Sequence, residues 1–186
     1  PDSFPWRLNY PMDFYLEDMG EYRFGDTTIT TVLTPGHTEG CMSFLIPVTD
    51  EGEPHLLALW GGTSLLPSSD PEVYKNSVLR FSDICREKGV DGEIASHPFF
   101  DSTIERLNLV NNIAEGVPNP FIIGTENCVK YLAKYYRMAE EEIAKRKAVV
   151  EQYRRRLEGA AGIVLCKPQK DVTPNYAYFP VVFDGY

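Results

Sequence analysis

Thr34-Pro35-Gly36-His37-Thr38 is the stretch on which the reading of this chain turns. It follows the alternating run Thr28-Ile29-Thr30-Thr31-Val32-Leu33, and the spacing predicts a strand over 27–34 closed by a Pro-Gly turn. His37 is thereby held out at a strand end, a placement rigid enough to fix a ligand atom within a fraction of an ångström. Further on, Ser96-His97-Pro98 repeats the arrangement after a second short segment, Gly92-Glu93-Ile94-Ala95, expected as a strand over 90–96. His37 and His97 are therefore candidate metal ligands. Two ligands fall short of the three or four that a zinc site needs.

Outward from that stretch, alternation predicts strands over 41–48 and 55–60, joined by the turn-rich segment Thr49 to Pro54. Gly61-Gly62 reads as a tight turn, since no G-x-x-x-x-G-K pattern supports a phosphate loop. A helix is expected over 72–88, with Ser69 or Asp70 as N-cap and Pro71 at its first position. Another is expected over 102–114, with Asp101 as an exposed cap rather than a carboxylate orienting a ligand. His55, after Pro54, reads as a solvated edge residue. Residues 1–26 are aromatic and acidic, broken into turns by Pro5, Pro11 and Gly20.

From Thr125 to Glu158 there is neither glycine nor proline, and Val129, Leu132, Tyr136, Ala139 and Ile143 recur at helical spacing. One helix of that length runs to about 50 Å. It bends, projects as an arm, or joins two helices of different origin. The tyrosines at 131, 135, 136 and 153 read as packing, and Arg154-Arg155-Arg156 as a solvated face. Past Gly159, Gly162 to Leu165 and Asn175 to Phe183 read as two strands. Strands followed by strand–helix alternation give an α/β layer fold.

The chain has 186 residues, 43% hydrophobic and 24% charged, as in ordinary globular proteins. A net charge of −9 argues against nucleic acid or an anionic membrane as the main partner. The charge is uneven: residues 1–140 hold 10 Lys+Arg against 21 Asp+Glu, and residues 141–186 hold 8 against 6. No apolar run approaches the eighteen or so residues of a membrane span. Cys41, Cys85, Cys128 and Cys166 form no C-x-x-C pair and read as free, mostly buried thiols, none beside a histidine.

Thr34-Pro35-Gly36-His37-Thr38-Glu39-Gly40 resembles the T-P-G-H-T-x-G turn of the metallo-β-lactamase superfamily, closest to the third subclass. Ser96-His97-Pro98 resembles that family's late histidine. Leu59-Trp60-Gly61-Gly62-Thr63 stands where many members carry a Gly-Asp whose carboxylate bridges the metals; Gly62 in its place is the third-subclass pattern. Asn119-Pro120-Phe121 and the helix after it look like that group's C-terminal end. The resemblance covers about residues 10–140. It implies half of an αββα sandwich and a zinc-dependent hydrolase acting on a small-molecule substrate, with His37 on the first zinc and His97 on the second. The family's H-x-H-x-D-H motif is absent: the chain has three histidines, none of them in residues 1–36. The centre is thus incomplete and the chain alone is expected to be inactive.

The tail resembles something else. Arg146-Lys147, Glu151-Gln152-Tyr153 and Asn175-Tyr176-Ala177-Tyr178-Phe179-Pro180 look like the small domain of DegT-type, PLP-dependent sugar aminotransferases, without a counterpart of their PLP lysine. The expected organisation is a metallo-β-lactamase-like domain over 1–143, its N-terminal half missing, and an aminotransferase-like fragment over 144–186. The fold expected is α/β, half of that sandwich with a long helix and a short C-terminal strand pair. One alternative to the hydrolase is a non-catalytic chimeric or remnant module that forms a homodimer through its exposed half-sandwich face. Another is a fragment of a PLP-dependent aminotransferase.

Overall fold

Two-residue turns set the register of the main sheet. A computed structural model of the chain describes residues 14–114, 116–167, 169–172 and 174–184. Strand β1 (Glu21–Phe24) pairs antiparallel with β2 (Thr27–Leu33) across Gly25-Asp26, with Gly25 at φ 64°. Strand β3 (Met42–Asp50) pairs with β4 (Glu53–Trp60) across Glu51-Gly52, both at positive φ, which is the backbone a two-residue hairpin requires. Pairing runs through Thr49↔Pro54 and Asp50↔Glu53, so the expected turn over 49–54 narrows to those two residues. Strand β1 falls in a segment expected to form turns. Its signal was present, an aromatic–charged alternation ending in Gly-Asp, but without β-branched residues it was weak. Pro5 and Pro11 lie outside the described residues.

Asp70 caps helix α1 (Pro71–Lys88): its carboxylate accepts from the backbone N–H groups of Glu72 and Val73, with Pro71 at the first position. Gly89, at φ 68°, closes the helix. The chain then returns as β5 (Gly92–Ala95), parallel to β4, with α1 as the crossover a parallel pair demands. The sheet order is β1-β2-β3-β4-β5. Helix α2 (Thr103–Asn111) buries none of its residues, whereas α3 (Thr125–Leu157) is one continuous helix of 33 residues.

One face of the sheet is covered. Val32, Leu45, Ala58 and Trp60 point into a core completed by Tyr74, Val78, Phe81 and Cys85 of α1. Cys128, Leu132, Tyr135 and Ala139 of α3 repeat the same helical spacing on the other side. Trp60 is the hub, with the rings of Tyr74, Phe81 and Tyr135 at 5.6, 5.6 and 6.0 Å. On the opposite face Met42, Phe44, Ile46 and Leu59 are only half-buried. The core is about as wide as the first half of α3, and past Ala139 that helix buries only Val150.

Val150 lies against the tail, where β6 (Ile163–Leu165) pairs antiparallel with β7 (Val181–Phe183). The strand expected over 175–183 shrinks to β7, because Pro180 has no N–H for a ladder and Tyr176 sits at φ 55°. Arg154, expected on a solvated face, is half-buried; it donates to the Cys166 carbonyl and lies over Phe179. No helix among the described residues is long and apolar enough to cross a membrane.

Candidate functional site

Strands β2, β4 and β5 all end on the same edge of the sheet, since β3 runs against its two neighbours and β5 runs with β4. That edge gathers three loops: 34–40 with His37, 61–70, and 96–102 with His97. Each is fixed by its own sequence.

Gly36 sits at φ 127° against the backbone of Tyr74, where any side chain would collide. The Ser77 hydroxyl of α1 donates to the Pro35 carbonyl at 2.7 Å, and the Thr34 and Ser43 hydroxyls bond at 2.8 Å beneath it. His37 Nδ1 lies 2.7 Å from the Ser64 carbonyl. A carbonyl only accepts, so Nδ1 carries the proton, and the tautomer this selects has its lone pair on Nε2. That tautomer, held by a backbone carbonyl, is the arrangement of a metal-ligating histidine. The Ser69 hydroxyl donates to the His37 carbonyl at 3.0 Å and ties the second loop to the first. His37 lines a cleft of about 450 Å³ with Thr38, Ser68 and Asp70.

Gly61 and Gly62 serve close approach rather than a turn. A Cβ on Gly61 would strike the Met42 carbonyl, and one on Gly62 would stand 2.9 Å from His37 Cβ and 3.2 Å from Tyr74 Cε2. Trp60 Nε1 and the Tyr74 hydroxyl both donate to the Gly62 carbonyl. A Cβ on Gly62 would also stand 3.5 Å from the buried Cys41 Sγ. Burial pushes that thiol's pKa up, against a smaller downward pull from Thr34, and so keeps it protonated.

His97 is exposed and stacks on Phe99 at 5.6 Å. Between the strands carrying the two histidines lie β3 and β4, so β2 and β5 are three strand spacings apart, about 14 Å. Among the described residues no group of three or more His, Cys, Asp or Glu is placed to hold a metal ion. The residues present do not by themselves fit zinc, and no reaction step can be written through it.

No family model matches the chain, and no curated protein matches it. Solved structures do. BJP-1, a subclass B3 metallo-β-lactamase of Bradyrhizobium japonicum, is 22% identical with a TM-score of 0.60, over 76% of this chain and 54% of that one. Native FEZ-1 metallo-β-lactamase of Legionella gormanii is 23% identical with a TM-score of 0.59, over 70% and 50%. A motif mutant of a Cronobacter sakazakii metallo-β-lactamase is 20% identical with a TM-score of 0.58, over 75% and 53%. The chain carries part of the metallo-β-lactamase fold. It spans about half the length of each of these structures.

Within that fold, two polar clusters escaped the sequence reading. His55 is not a solvated edge residue: it is half-buried, with Nδ1 2.6 Å from Asp91 Oδ2. The other Asp91 oxygen accepts from the Leu56 N–H at 3.0 Å, so the pair stitches the start of β4 to β5's approach. Asp101 is not exposed. Its buried carboxylate takes the Thr103 N–H at the start of α2 and also binds Ala95 and Arg106. The only advance signal was Glu93, a carboxylate in the middle of a four-residue strand, which had to find a cation.

Proposed function

We propose that this chain supplies one half of a zinc-dependent hydrolase site on the metallo-β-lactamase fold, with His37 and His97 as ligands to two different zinc ions. The observation that carries this reading is the Nδ1–H bond from His37 to the Ser64 carbonyl, which leaves Nε2 available. A small-molecule carbonyl or ester compound is the substrate this reading gives the complete fold. The remaining ligands must come from outside the described residues, and the chain alone is expected to be inactive.

Zinc per chain in metal-reconstituted protein, measured beside His37→Ala, tests the assignment. Zinc held at sub-micromolar concentration and lost in the variant supports it; equal background zinc in both proteins rejects it.

The half-buried apolar face of the sheet favours a second reading, a non-catalytic module that pairs with another copy of itself. Under either reading we divide the chain near residue 143, with a DegT-type, PLP-dependent aminotransferase-like fragment over 144–186. What supports the division is that past Ala139 α3 buries only Val150, beside a cavity lined by tail residues; Arg146 and Asn175 join the two parts at Ser69 and Asp70. Lactamase-type sequence on both sides of residue 145 in a full-length clone would reject it.

A further inference from the structure

The five residues Ser96 to Phe100 that present His97 form a closed loop, and a buried set of charges closes it. The Asp101 carboxylate accepts from the Ala95 N–H at 3.0 Å and from the Thr103 N–H at 3.0 Å, so it joins the strand before the loop to the helix after it. Within the loop, Phe100 N–H donates to the His97 carbonyl at 3.1 Å and Thr103 N–H to the Pro98 carbonyl at 2.9 Å. Arg106 then binds both sides. It donates to Glu93 Oε1 at 2.6 Å, to the Glu93 carbonyl at 3.1 Å and to the Asp101 carbonyl at 3.1 Å. Its Nε reaches the Pro120 carbonyl at 3.2 Å, and its guanidinium lies 4.2 Å over the Phe121 ring. From α3, Lys134 Nζ donates to the Phe100 carbonyl at 2.6 Å and sits 3.5 Å over the Tyr131 ring.

Cohesion alone does not account for this set. The side chains of Arg106, Glu93 and Asp101 are 11%, 6% and 0% exposed, and Glu93 Oε2 has no hydrogen-bond partner among the described residues. Apolar side chains in the place of such buried ions are often as stable or more so. What charges give and apolar packing does not is direction: a planar fork of five donors fixes the backbone it binds. That directed bonding holds both ends of the loop that carries His97: Arg106 binds Glu93 before it and the Asp101 carbonyl after it, and Lys134 binds the Phe100 carbonyl.

We infer that Arg106 is a positioning residue for His97, acting through the loop 96–101, and that Asp101 and Lys134 complete the clamp. The inference rests on the reading of His97 as a working ligand. The test is imidazole NMR of the whole chain, comparing Arg106→Lys and Arg106→Ala with the unsubstituted protein. His37 and His55 serve as internal controls. Val78→Ala, a core truncation on α1, controls for lost stability.

The expected result is a shift and broadening of the His97 resonance in both Arg106 variants, with His37 and His55 unmoved. The Ala95 and Thr103 amides should exchange roughly tenfold faster or more. In Val78→Ala, His97 should stay where it was. An unmoved His97 in folded Arg106→Lys, or equal movement of all three histidines, overturns the inference. Should Arg106→Ala not fold, Arg106→Lys and Lys134→Met decide it by the same signal. Zinc added to the unsubstituted protein tests the underlying reading separately: if it moves neither His97 nor His37, the ligand assignment fails whatever the Arg106 variants show.

Discussion

At the scale of single residues, burial decides what each reactive group can do. Cys85 and Cys128 sit in the core with their thiols pushed up to about 12 by desolvation, and Cys41 is also raised. Cys166 is the half-exposed thiol. A disulfide reagent at neutral pH should therefore modify one thiol per native chain and four after denaturation; rapid reaction of a second thiol would show the core to be open. Glu93 gives a pH prediction. Burial raises its carboxyl above the ordinary 4.5, against the downward pull of Arg106. A raised folded value means its stabilising contribution is complete below pH 4.5 and is lost as pH climbs through that raised value. Measured by urea denaturation, the stability of the protein minus that of Glu93→Gln should fall as pH rises above 4.5. A flat difference would show that Arg106 cancels the cost of burial.

Among the elements, the inner and outer halves of α3 obey different rules. Leu132 is buried in the core, so Leu132→Ala should cost about 2–5 kcal/mol in denaturant titration. Val149, half exposed on the outer half, should tolerate Ala within about 0.5 kcal/mol. Equal losses at both positions would mean that the outer half packs against something more. Most elements were legible in the sequence because their signals are local. Alternation marked β2 to β4, Pro71 and Asp70 marked the start of α1, and freedom from glycine and proline marked α3. The histidine loops were legible too, through a Pro-Gly turn and a His-Pro pair set at strand ends. What stayed hidden depends on partners distant in sequence. Arg106 meets Glu93 across a loop, and His55 meets Asp91 across the whole of α1. Nothing in the local pattern of either residue names its partner.

For the molecule as a whole, the sheet is the issue. One face is filled by α1 and α3, while Phe44, Ile46 and Leu59 on the other remain half-buried. If that face pairs two copies, the protein should sediment as a dimer, and Ile46→Glu should give monomers without unfolding the core beneath, since Leu45, not Ile46, points into it. Dimers that persist in Ile46→Glu would place the contact elsewhere. The reach of α3 has a separate consequence. Between Ala139 and Leu157 it climbs about 27 Å at the ordinary rise per residue. The chain nonetheless returns to the histidine edge, because Arg146 donates to the Ser69 carbonyl at 3.0 Å and Asn175 to Asp70 Oδ2 at 3.4 Å, beside the His37 cleft. The Val150 cavity and the His37 cleft are thus neighbours joined through Asn175 and Asp70, so a change in the wall of one is felt in the other.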